Sequence, residues 1–423
     1  MGRDITFSTS HLEYFSLAKS EPVIFDAMLI AASVEYADFV RLRDPYGWPR
    51  KLSIKVPVEH PSRWEAPAVT DALHDALRFV TGDYWAISFC RRKSGSIAPT
   101  GKGFDMLPSP EAVVAYSDGM DSFIVTELIK ASSGSEVVRV RVGGSRHVDR
   151  KKYPSFVPVP YRVAVRAKRR EPTARSRGFK FALVAGIAAY LLDAKTVVVP
   201  ESGQGALGPQ LIGVGHAYSD FRNNPLFMRR MERLFQALLE KPIRYAFPRL
   251  WSTKGQTLET YASRIGDNRW QSTKSCWRDN RWSSVNNAWR HCGVCAACML
   301  RRVSVHAAGL TEPDDTYICT DMRASTLESA VESGFKNLKS AFREYAIAGV
   351  RHMDDMAGMA DSQSISTVRR CALSIGRALH EPGDAEKLLA GMLERHAHEW
   401  SGYLESVGAN SFVNRWVGAG SCQ

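Results

Sequence analysis

The chain has 423 residues, of which 44% are hydrophobic and 24% are charged. These values are typical of globular proteins and exclude wholesale disorder, a collagen-like chain and a disulfide-stabilised miniprotein. The 56 Lys and Arg residues outnumber the 44 Asp and Glu residues, which gives a net charge of +12. This charge favours an anionic ligand such as a nucleotide, a nucleic acid or an acidic protein, and it does not choose among them.

The sequence predicts neither a membrane span nor an export signal. The longest apolar run, residues 181–192, is too short to cross a bilayer. The first fifteen residues contain no apolar segment of the kind found in signal peptides. We therefore expect a cytoplasmic protein with no membrane partner.

The first hundred residues mix short strand-like runs with one helix. Strands are predicted for three runs rich in β-branched or aromatic residues: 23–30, 37–42 and 52–58. A helix is predicted over 64–80 and a further strand over 84–90. The polar segment 91–103 contains Gly and Pro and predicts a linker. We interpret residues 1–105 as an N-terminal α+β domain.

The middle of the chain alternates between the two kinds of element. Strands are predicted at 112–116, 137–142, 162–165 and 196–199, and helices at 122–130, 179–193 and 225–240. Such alternation predicts βαβ units, which gives a mostly parallel α/β sheet with helices on both faces over residues 106–310. Strand patterns fade afterwards. The helical patterns at 325–345, 365–380 and 384–406, with Asp384 as a helix N-cap, predict a helical C-terminal domain over 311–423.

A loop of small and polar residues lies between a predicted strand and a predicted helix: Ser117, Asp118, Gly119, Met120, Asp121 and Ser122. Backbone N–H groups at a helix N-terminus can hold phosphate, and Asp121 can bind Mg²⁺ or cap the helix. The loop is not a Walker loop, because no Gly-Lys-Ser/Thr follows it. The alternative interpretation is an ordinary strand-to-helix turn with a Ser or Asp cap.

Half of the eight cysteines are clustered: Cys276, Cys292, Cys295 and Cys298. Thiolates with two residues between them can converge on one metal from a tight turn, and a fourth from a neighbouring loop completes a tetrahedral site. This pattern predicts a structural zinc. An iron–sulfur cluster and unliganded thiols are the alternatives. We interpret the nearby His291 and His306 as surface or packing residues.

The six-residue loop resembles the PP-loop, SGGxDS, of ATP pyrophosphatases, with Asp118 in place of a glycine. Together with the later segment HCGVCAACMLRR, it resembles the QueC (7-cyano-7-deazaguanine synthase-like) family, whose zinc-binding element is similar and whose arginine matches Arg301. The segment that begins at Ser176 resembles the family's Ser-Arg-Asn helix start, with Gly178 in place of Asn. Residues 218–222 resemble the family's YPDCR segment, with Phe221 in place of Cys.

The resemblance implies an ATP-dependent ligase that adenylates the carboxylate of 7-carboxy-7-deazaguanine. It implies ATP and Mg²⁺ at Ser117–Ser122 and Zn²⁺ on the four cysteines. The implied catalytic residues are Asp121, Arg177, Lys180 and Arg301. The residues implied to bind the deazaguanine are Tyr218, Asp220 and Arg222.

The extra terminal regions resemble longer QueC-like proteins of bacterial anti-phage defence operons, including the Qat system and type IV CBASS. For those proteins the resemblance implies attachment of a deazaguanine to the N-terminus of a partner protein from the same operon. The alternatives are a 7-cyano-7-deazaguanine (preQ0) synthase, a tRNA-modifying PP-loop enzyme such as a thiolase, and a module that only binds a partner.

Two stretches combine basic and aromatic residues. Eight basic residues occur between Arg162 and Lys180, and four tryptophans lie within a short segment: Trp270, Trp277, Trp282 and Trp289. Such stretches can bind nucleic acid or form a protein interface. They can also pack as a loop over the cysteine site. Nucleic acid is the least favoured of the three interpretations.

Overall fold

The computed structural model describes residues 5–7, 21–44, 46–47, 49–93, 110–134, 137–143, 156–159, 161–165, 170–213, 218–278, 283–380 and 384–417. Its strands in chain order are β1 (Ile5–Phe7), β2 (Lys51–Val58), β3 (Tyr84–Arg91), β4 (Ala112–Ala115), β5 (Val137–Val142), β6 (Phe156–Val159), β7 (Tyr161–Val163), β8 (Thr196–Val198), β9 (Arg244–Ala246), β10 (Ser284–Val285) and β11 (Ala288–Trp289).

Its α-helices in chain order are α1 (Pro22–Val40), α2 (Pro61–Trp64), α3 (Pro67–Thr81), α4 (Met120–Ser133), α5 (Arg177–Leu191), α6 (Gly203–Leu211), α7 (Pro225–Leu239), α8 (Lys254–Arg264), α9 (Ala296–Ala307), α10 (Leu327–Ala330), α11 (Ser340–Ala357), α12 (Ile365–Leu379), α13 (Ala385–Val407) and α14 (Phe412–Trp416). Among the described residues, none of the helices combines the length and the hydropathy needed to span a bilayer.

The chain divides into two compact units, each assembled from separate stretches of sequence. The first contains Met1–Ser117, Ser132–Pro200 and Asp220–Pro248. The second contains Asp118–Ala131, Glu201–Ser219 and Arg249–Gln423. The division into domains at 1–105, 106–310 and 311–423 stays a prediction, and most of the predicted linker at 91–103 lies outside the described residues.

The first unit contains a parallel five-stranded sheet in the order β6-β5-β4-β8-β9. Helices α1, α3, α5 and α7 share one hydrophobic core with this sheet. The mixed α/β fold is therefore confirmed. The order of the strands reverses between β4 and β8, and the carboxyl ends of strands at such a point are the usual place for a ligand in open α/β sheets.

The N-terminal helix α1 corrects the predicted strands at 23–30 and 37–42. Most of its residues are buried, including those on what would be its solvent face. A helix that is apolar all round has no 3.6-residue pattern, so its β-branched residues suggested strands. The predicted strands at 52–58 and 84–90 and the predicted helix at 64–80 are confirmed: β2 and β3 form a parallel pair, and α2 and α3 lie between them in the sequence.

The predicted strand at 162–165 does not belong to the parallel sheet. Strand β7 pairs antiparallel with β1, and the fifth position of the sheet is taken by β6, which had not been predicted. Both strands are only three or four residues long. Such short runs carry too few residues to show an alternating pattern.

The second unit is mainly helical, with the short hairpin β10-β11. One apolar cluster joins α4 to α8 and α9, and another surrounds the cysteines with α11 and α13. The predicted helix at 325–345 is wrong over its middle part. An antiparallel bridge between Cys319 and Val331 and a 2.9 Å bond from the Glu332 N–H to the Ile318 carbonyl hold the backbone extended there. The predicted helices at 365–380 and 384–406 are confirmed as α12 and α13.

Candidate functional site

The loop that follows β4 is held by a backbone bond from a distant segment. The Lys274 N–H donates to the Asp118 carbonyl at 2.7 Å. The Ser122 hydroxyl donates to the Gly119 carbonyl at 2.9 Å, which closes the turn on itself as α4 begins at Met120. The loop therefore has a defined backbone shape at the N-terminus of a helix, where the helix dipole favours anions.

Asp121 and Lys254 form a largely buried ion pair, in which the ammonium contacts Oδ2. The exposed fractions of the two side chains are 15% and 9%. Asp121 Oδ1 is also buried and has no hydrogen-bond partner among the described residues. A buried carboxylate oxygen without a donor is unfavourable by itself and matches the oxygen ligands that Mg²⁺ prefers. Asp121 therefore fits a divalent cation.

Lys254 is not among the predicted site residues, and it lies 133 positions from Asp121 in the sequence. The available signal was the helix start at which it lies. Thr253 and Gln256 form a capping box, in which each side chain bonds the backbone N–H of the other residue. That pattern marks residue 254 as the first residue of a helix. It does not indicate which carboxylate the lysine faces.

The four clustered cysteines converge as predicted, because their sulfur atoms all lie within 4.8 Å of one another. The Cys292 and Cys298 sulfurs are 3.8 Å apart. Four sulfurs placed tetrahedrally at about 2.3 Å from a zinc ion are separated by about 3.8 Å, so this distance suits a zinc site. Three of the thiols are fully buried, and Cys276 is partly buried. The cluster can hold a metal such as zinc.

Hydrogen bonding among the thiols divides them into two kinds. The pKa of Cys276 lies well below its usual range, because Cys292, Cys295 and Cys298 donate to its sulfur. Burial raises the pKa of Cys295 and of Cys298 above the usual range. Backbone N–H groups of Arg278 and Cys292 also donate to the Cys276 sulfur, at 3.4 and 3.3 Å. This arrangement stabilises negative charge on the Cys276 sulfur, and a thiolate is the form of cysteine that binds a metal.

The buried guanidinium of Arg301 organises the segment that leads to Cys276. Its Nη1 donates to the Thr273 carbonyl and to the Thr273 hydroxyl, both at 2.9 Å, and its Nε donates to Glu312 at 2.7 Å. Its Nη2 donates to the Gln271 carbonyl at 3.1 Å. Since every nitrogen has a protein partner, this geometry is that of a structural anchor, and the catalytic role of Arg301 stays a prediction.

The two histidines near the cluster are packing and surface residues, as predicted. His291 accepts a hydrogen bond on Nε2 from the Ser275 N–H at 3.1 Å, and burial lowers the pKa of its imidazole to about 4. It is therefore neutral. His306 is exposed and lies edge-on to Tyr403, with 5.7 Å between the ring centroids.

Helix α11 packs directly on the cysteine turn at Gly349. A Cβ atom at this position would lie 2.1 Å from the Val294 carbonyl oxygen and 3.0 Å from the Ala296 nitrogen. Both neighbours are backbone atoms of the turn that carries Cys295, so they cannot move aside as a flexible side chain can. The C-terminal helices and the cysteine turn therefore share one packed surface.

Gly349→Ala is expected to displace this turn and to weaken metal retention. We expect the unfolding midpoint to fall by several degrees, because overpacking a close backbone contact costs about 1–3 kcal/mol. Gly402→Ala is the matched control, since it lies in helix α13 and its Cβ would only touch the His306 ring at 3.9 Å. Calorimetry and bound-metal analysis of both variants test this; equal effects at the two glycines would contradict the packing.

A second group of predicted residues lies together in the first unit. Arg177 donates to Asp220 at 3.0 Å, and the Arg222 Nε lies 3.3 Å from the same carboxylate. Burial would raise the pKa of Asp220, but the charges of Arg222 and Arg177 outweigh burial and keep this pKa below its usual value. A Cβ atom at Gly178 would lie 2.6 Å from the Arg222 Cβ, so an Asn at this position would not fit.

Two further predicted residues, Lys180 and Tyr218, have other surroundings or belong to the other unit. The Lys180 ammonium pairs with Glu35 of α1 at 2.7 Å and lies 4.7 Å from the centre of the Tyr161 ring. Tyr218 belongs to the second unit and is half-buried. The catalytic role of Lys180 and the substrate-binding role of Tyr218 therefore stay predictions, as do the roles of the other site residues.

The tryptophan segment packs in part against the protein itself. Trp270 is 1% exposed, and Trp289 lies edge-on to His291 with 4.8 Å between ring centroids. Arg278 stacks over Phe342 at 5.1 Å. These contacts favour the interpretation that the buried tryptophans pack against the protein, whereas Trp277 is 50% exposed. Trp282 and several of the predicted basic residues lie outside the described part of the chain: Arg166, Lys168, Arg169 and Arg281.

Part of the chain matches a protein-family model. Residues 206–309 match the model described as "Queuosine biosynthesis protein QueC". The matched stretch includes the four cysteines, Arg301, Lys254 and the segment that holds Asp220. This match supports a QueC-like family and indicates an enzyme that uses ATP. Neither the curated proteins nor the solved structures include a significant match to this chain.

Proposed function

We propose that this protein is an ATP-dependent ligase of the PP-loop type that adenylates 7-carboxy-7-deazaguanine and transfers the acyl group to an amine. One observation carries the proposal. The Lys274 N–H, two residues before the cluster member Cys276, donates to Asp118 in the loop Ser117–Ser122. The loop that resembles a nucleotide site and the four-cysteine site are thus parts of one structure.

The proposed reaction has two steps. A carboxylate is inert to amines at neutral pH, so its oxygen first attacks the α-phosphorus of ATP, and pyrophosphate leaves with the electrons of the broken P–O bond. The amine nitrogen then attacks the acyl carbon of the adenylate and loses a proton, and AMP leaves as the C–O bond breaks. Positive charge near the phosphates stabilises the first transition state.

Several residues provide the charges that these steps need. Lys254 is a buried cation next to Asp121, and the free Oδ1 of Asp121 would hold Mg²⁺. Mg²⁺, when bound, supplies positive charge to the phosphate oxygens. Zn²⁺ on four thiolates has no open coordination position, so its role is structural. In the first unit, the partly exposed Asp220 and Arg222 stay the proposed partners of the amino group and the carboxylate of the deazaguanine.

The acceptor amine distinguishes the possible products. We propose the N-terminus of a partner protein in an anti-phage defence operon, because much of the chain lies outside the matched residues 206–309. Ammonia would give an amide, and a second ATP would convert it to the nitrile. A tRNA thiolase is less well supported, because it needs a reactive cysteine outside the cluster. Burial raises the pKa of Cys319 and of Cys371 to about 12, which disfavours the reactive thiolate, and the sequence around the partly buried Cys90 carries no catalytic motif.

The test is to incubate the purified protein with Mg-ATP and 7-carboxy-7-deazaguanine. We expect AMP and pyrophosphate only when both substrates are present. Co-expression with the proteins of the same operon, followed by intact mass spectrometry, identifies the acceptor through a mass increase of one deazaguanine acyl group. AMP formation that does not depend on the deazaguanine would contradict the proposed substrate, and a nitrile product without a modified protein would identify the synthase.

A further inference from the structure

Helix α13 contacts Thr253, the residue that precedes Lys254. The Thr253 hydroxyl donates to Glu399 of α13, and the same hydroxyl oxygen accepts the Gln256 N–H at 3.0 Å. Thr253 is fully buried, and it is the N-cap of the helix whose first residue is Lys254. Glu399 therefore fixes the point at which this helix begins.

A second chain of hydrogen bonds holds the backbone of Lys254 itself. The Lys254 N–H donates to the Gln204 Oε1 at 2.7 Å. The Gln204 Nε2 then donates to His396 Nδ1 at 3.2 Å, so the His396 proton is on Nε2 and is donated to the Met353 carbonyl at 3.0 Å. His396 is 0% exposed, and burial lowers the pKa of its imidazole, which keeps it neutral in this arrangement.

We propose that Glu399 and His396 are positioning residues that hold Lys254 against Asp121. Two independent contacts from α13 converge on the start of α8, one through Thr253 and one through Gln204. The C-terminal helical region would then be a working part of the nucleotide site, in addition to any role in binding a partner. This inference rests on the proposed function only in the experiment that measures adenylation.

The position of Lys254 can be measured without any enzyme activity. Lys254 is 7% exposed and is paired with Asp121, so an amine-acetylating reagent should label it slowly. We expect Glu399→Ala and His396→Leu to raise the labelling rate of Lys254 about tenfold. The first removes the hydrogen bond from Thr253, and the second removes the hydrogen bond that orients Gln204, the acceptor of the Lys254 N–H. Lys387, which is exposed on α13, calibrates the reagent. Unchanged labelling of Lys254 in both variants would overturn the proposal.

Controls separate positioning from general loss of stability. Glu394→Ala and His398→Ala change exposed residues of the same helix, and we expect them to leave Lys254 labelling unchanged. Glu399→Gln retains an oxygen that accepts from Thr253, so it should restore slow labelling. If Glu399→Gln labels as fast as Glu399→Ala, the hydrogen bond to Thr253 does not hold Lys254 and the proposal fails.

Adenylation kinetics provide a second test of the positioning role of Glu399. We expect Glu399→Ala to lower kcat about tenfold with the KM for ATP within about twofold, because a misplaced Lys254 acts mainly on the transition state. In a Lys254→Met background, Glu399→Ala should have no further effect; additive losses would contradict the inference. If the wild-type protein forms no AMP with 7-carboxy-7-deazaguanine, the proposed function fails, and the labelling experiment still decides this inference.

The pH dependence of stability gives a signature specific to Glu399. Burial raises the pKa of this carboxyl from 4.5 to about 7, opposed by the Thr253 hydrogen bond and by Arg395, while Glu259 raises it slightly. The folded state therefore binds the proton more tightly than the unfolded state. Stability should fall as the pH rises from 4.5 to about 7. Glu399→Gln should reduce the fall in the free energy of unfolding over this pH range. An unchanged pH dependence of this free energy would contradict the buried position of the carboxyl.

Discussion

Replacing Asp121 with Asn is expected to lower the rate of AMP formation by about 10²–10³-fold, the usual effect of removing one charged group that stabilises a transition state. The side chain keeps its shape and loses its charge. Lys254 then loses its counter-ion, and the buried Oδ1 can no longer serve as an anionic ligand for a divalent cation. Measuring AMP release at saturating Mg-ATP tests this.

The control for Asp121→Asn is Glu127→Gln on the same helix α4. Glu127 pairs with Arg269 at 2.9 Å and with Lys130 at 3.9 Å. We expect it to retain nearly full activity. The unfolding midpoint of Asp121→Asn must be measured as well, because an unpaired buried lysine lowers stability. Full activity of Asp121→Asn in the folded state would refute the assignment of this carboxylate to the site.

Replacing Cys298 with Ala should remove the bound metal and destabilise the second unit. Structural zinc contributes on the order of 10 kcal/mol to the stability of small zinc domains. The cysteines lie within an apolar cluster, so the loss of one of the four ligands should also destabilise the packing of that cluster. We expect less than one equivalent of metal by elemental analysis, a lower unfolding midpoint and a lower soluble yield.

Cys371→Ala is the matched control, because Cys371 is a buried thiol in helix α12 outside the cluster. It should keep its metal, and its midpoint should fall only by the cost of a small cavity. One full equivalent of metal in Cys298→Ala would contradict a four-thiolate site. The absorbance spectrum identifies the metal, since a zinc protein is colourless and an iron–sulfur protein absorbs visible light.

Most of the fold could be predicted from the sequence, and the secondary-structure predictions that were wrong or missing have physical causes. The parallel α/β sheet followed from the alternation of apolar, valine-rich strand runs such as Ala112–Ala115 and Thr196–Val198 with longer helical runs. Helix α1 was misread since its burial on all sides removed the amphipathic pattern. Strands β6 and β9 were missed because β6 contains Pro158, which is unusual inside a strand, and β9 (Arg244–Ala246) contains no β-branched residue.

The candidate site was predictable only where its residues are close in the sequence. The spacing of Cys292, Cys295 and Cys298 indicated a metal turn, and the sulfur positions agree with it. Lys254 was not predictable, because nothing near it indicates that it faces Asp121. Glu399 lies 146 positions from Thr253, and only tertiary packing brings the two together.

The contact at Gly349 has a consequence for how a metal ion would enter and leave the cysteine site. During synthesis the four cysteines emerge from the ribosome before helix α11, so the turn can take up its ion while the surface formed by Val294 and Ala296 is still uncovered. Once α11 docks on that surface, the turn can open only when this helix moves away. The residence time of the ion would then depend on the docking of a helix that supplies none of its ligands.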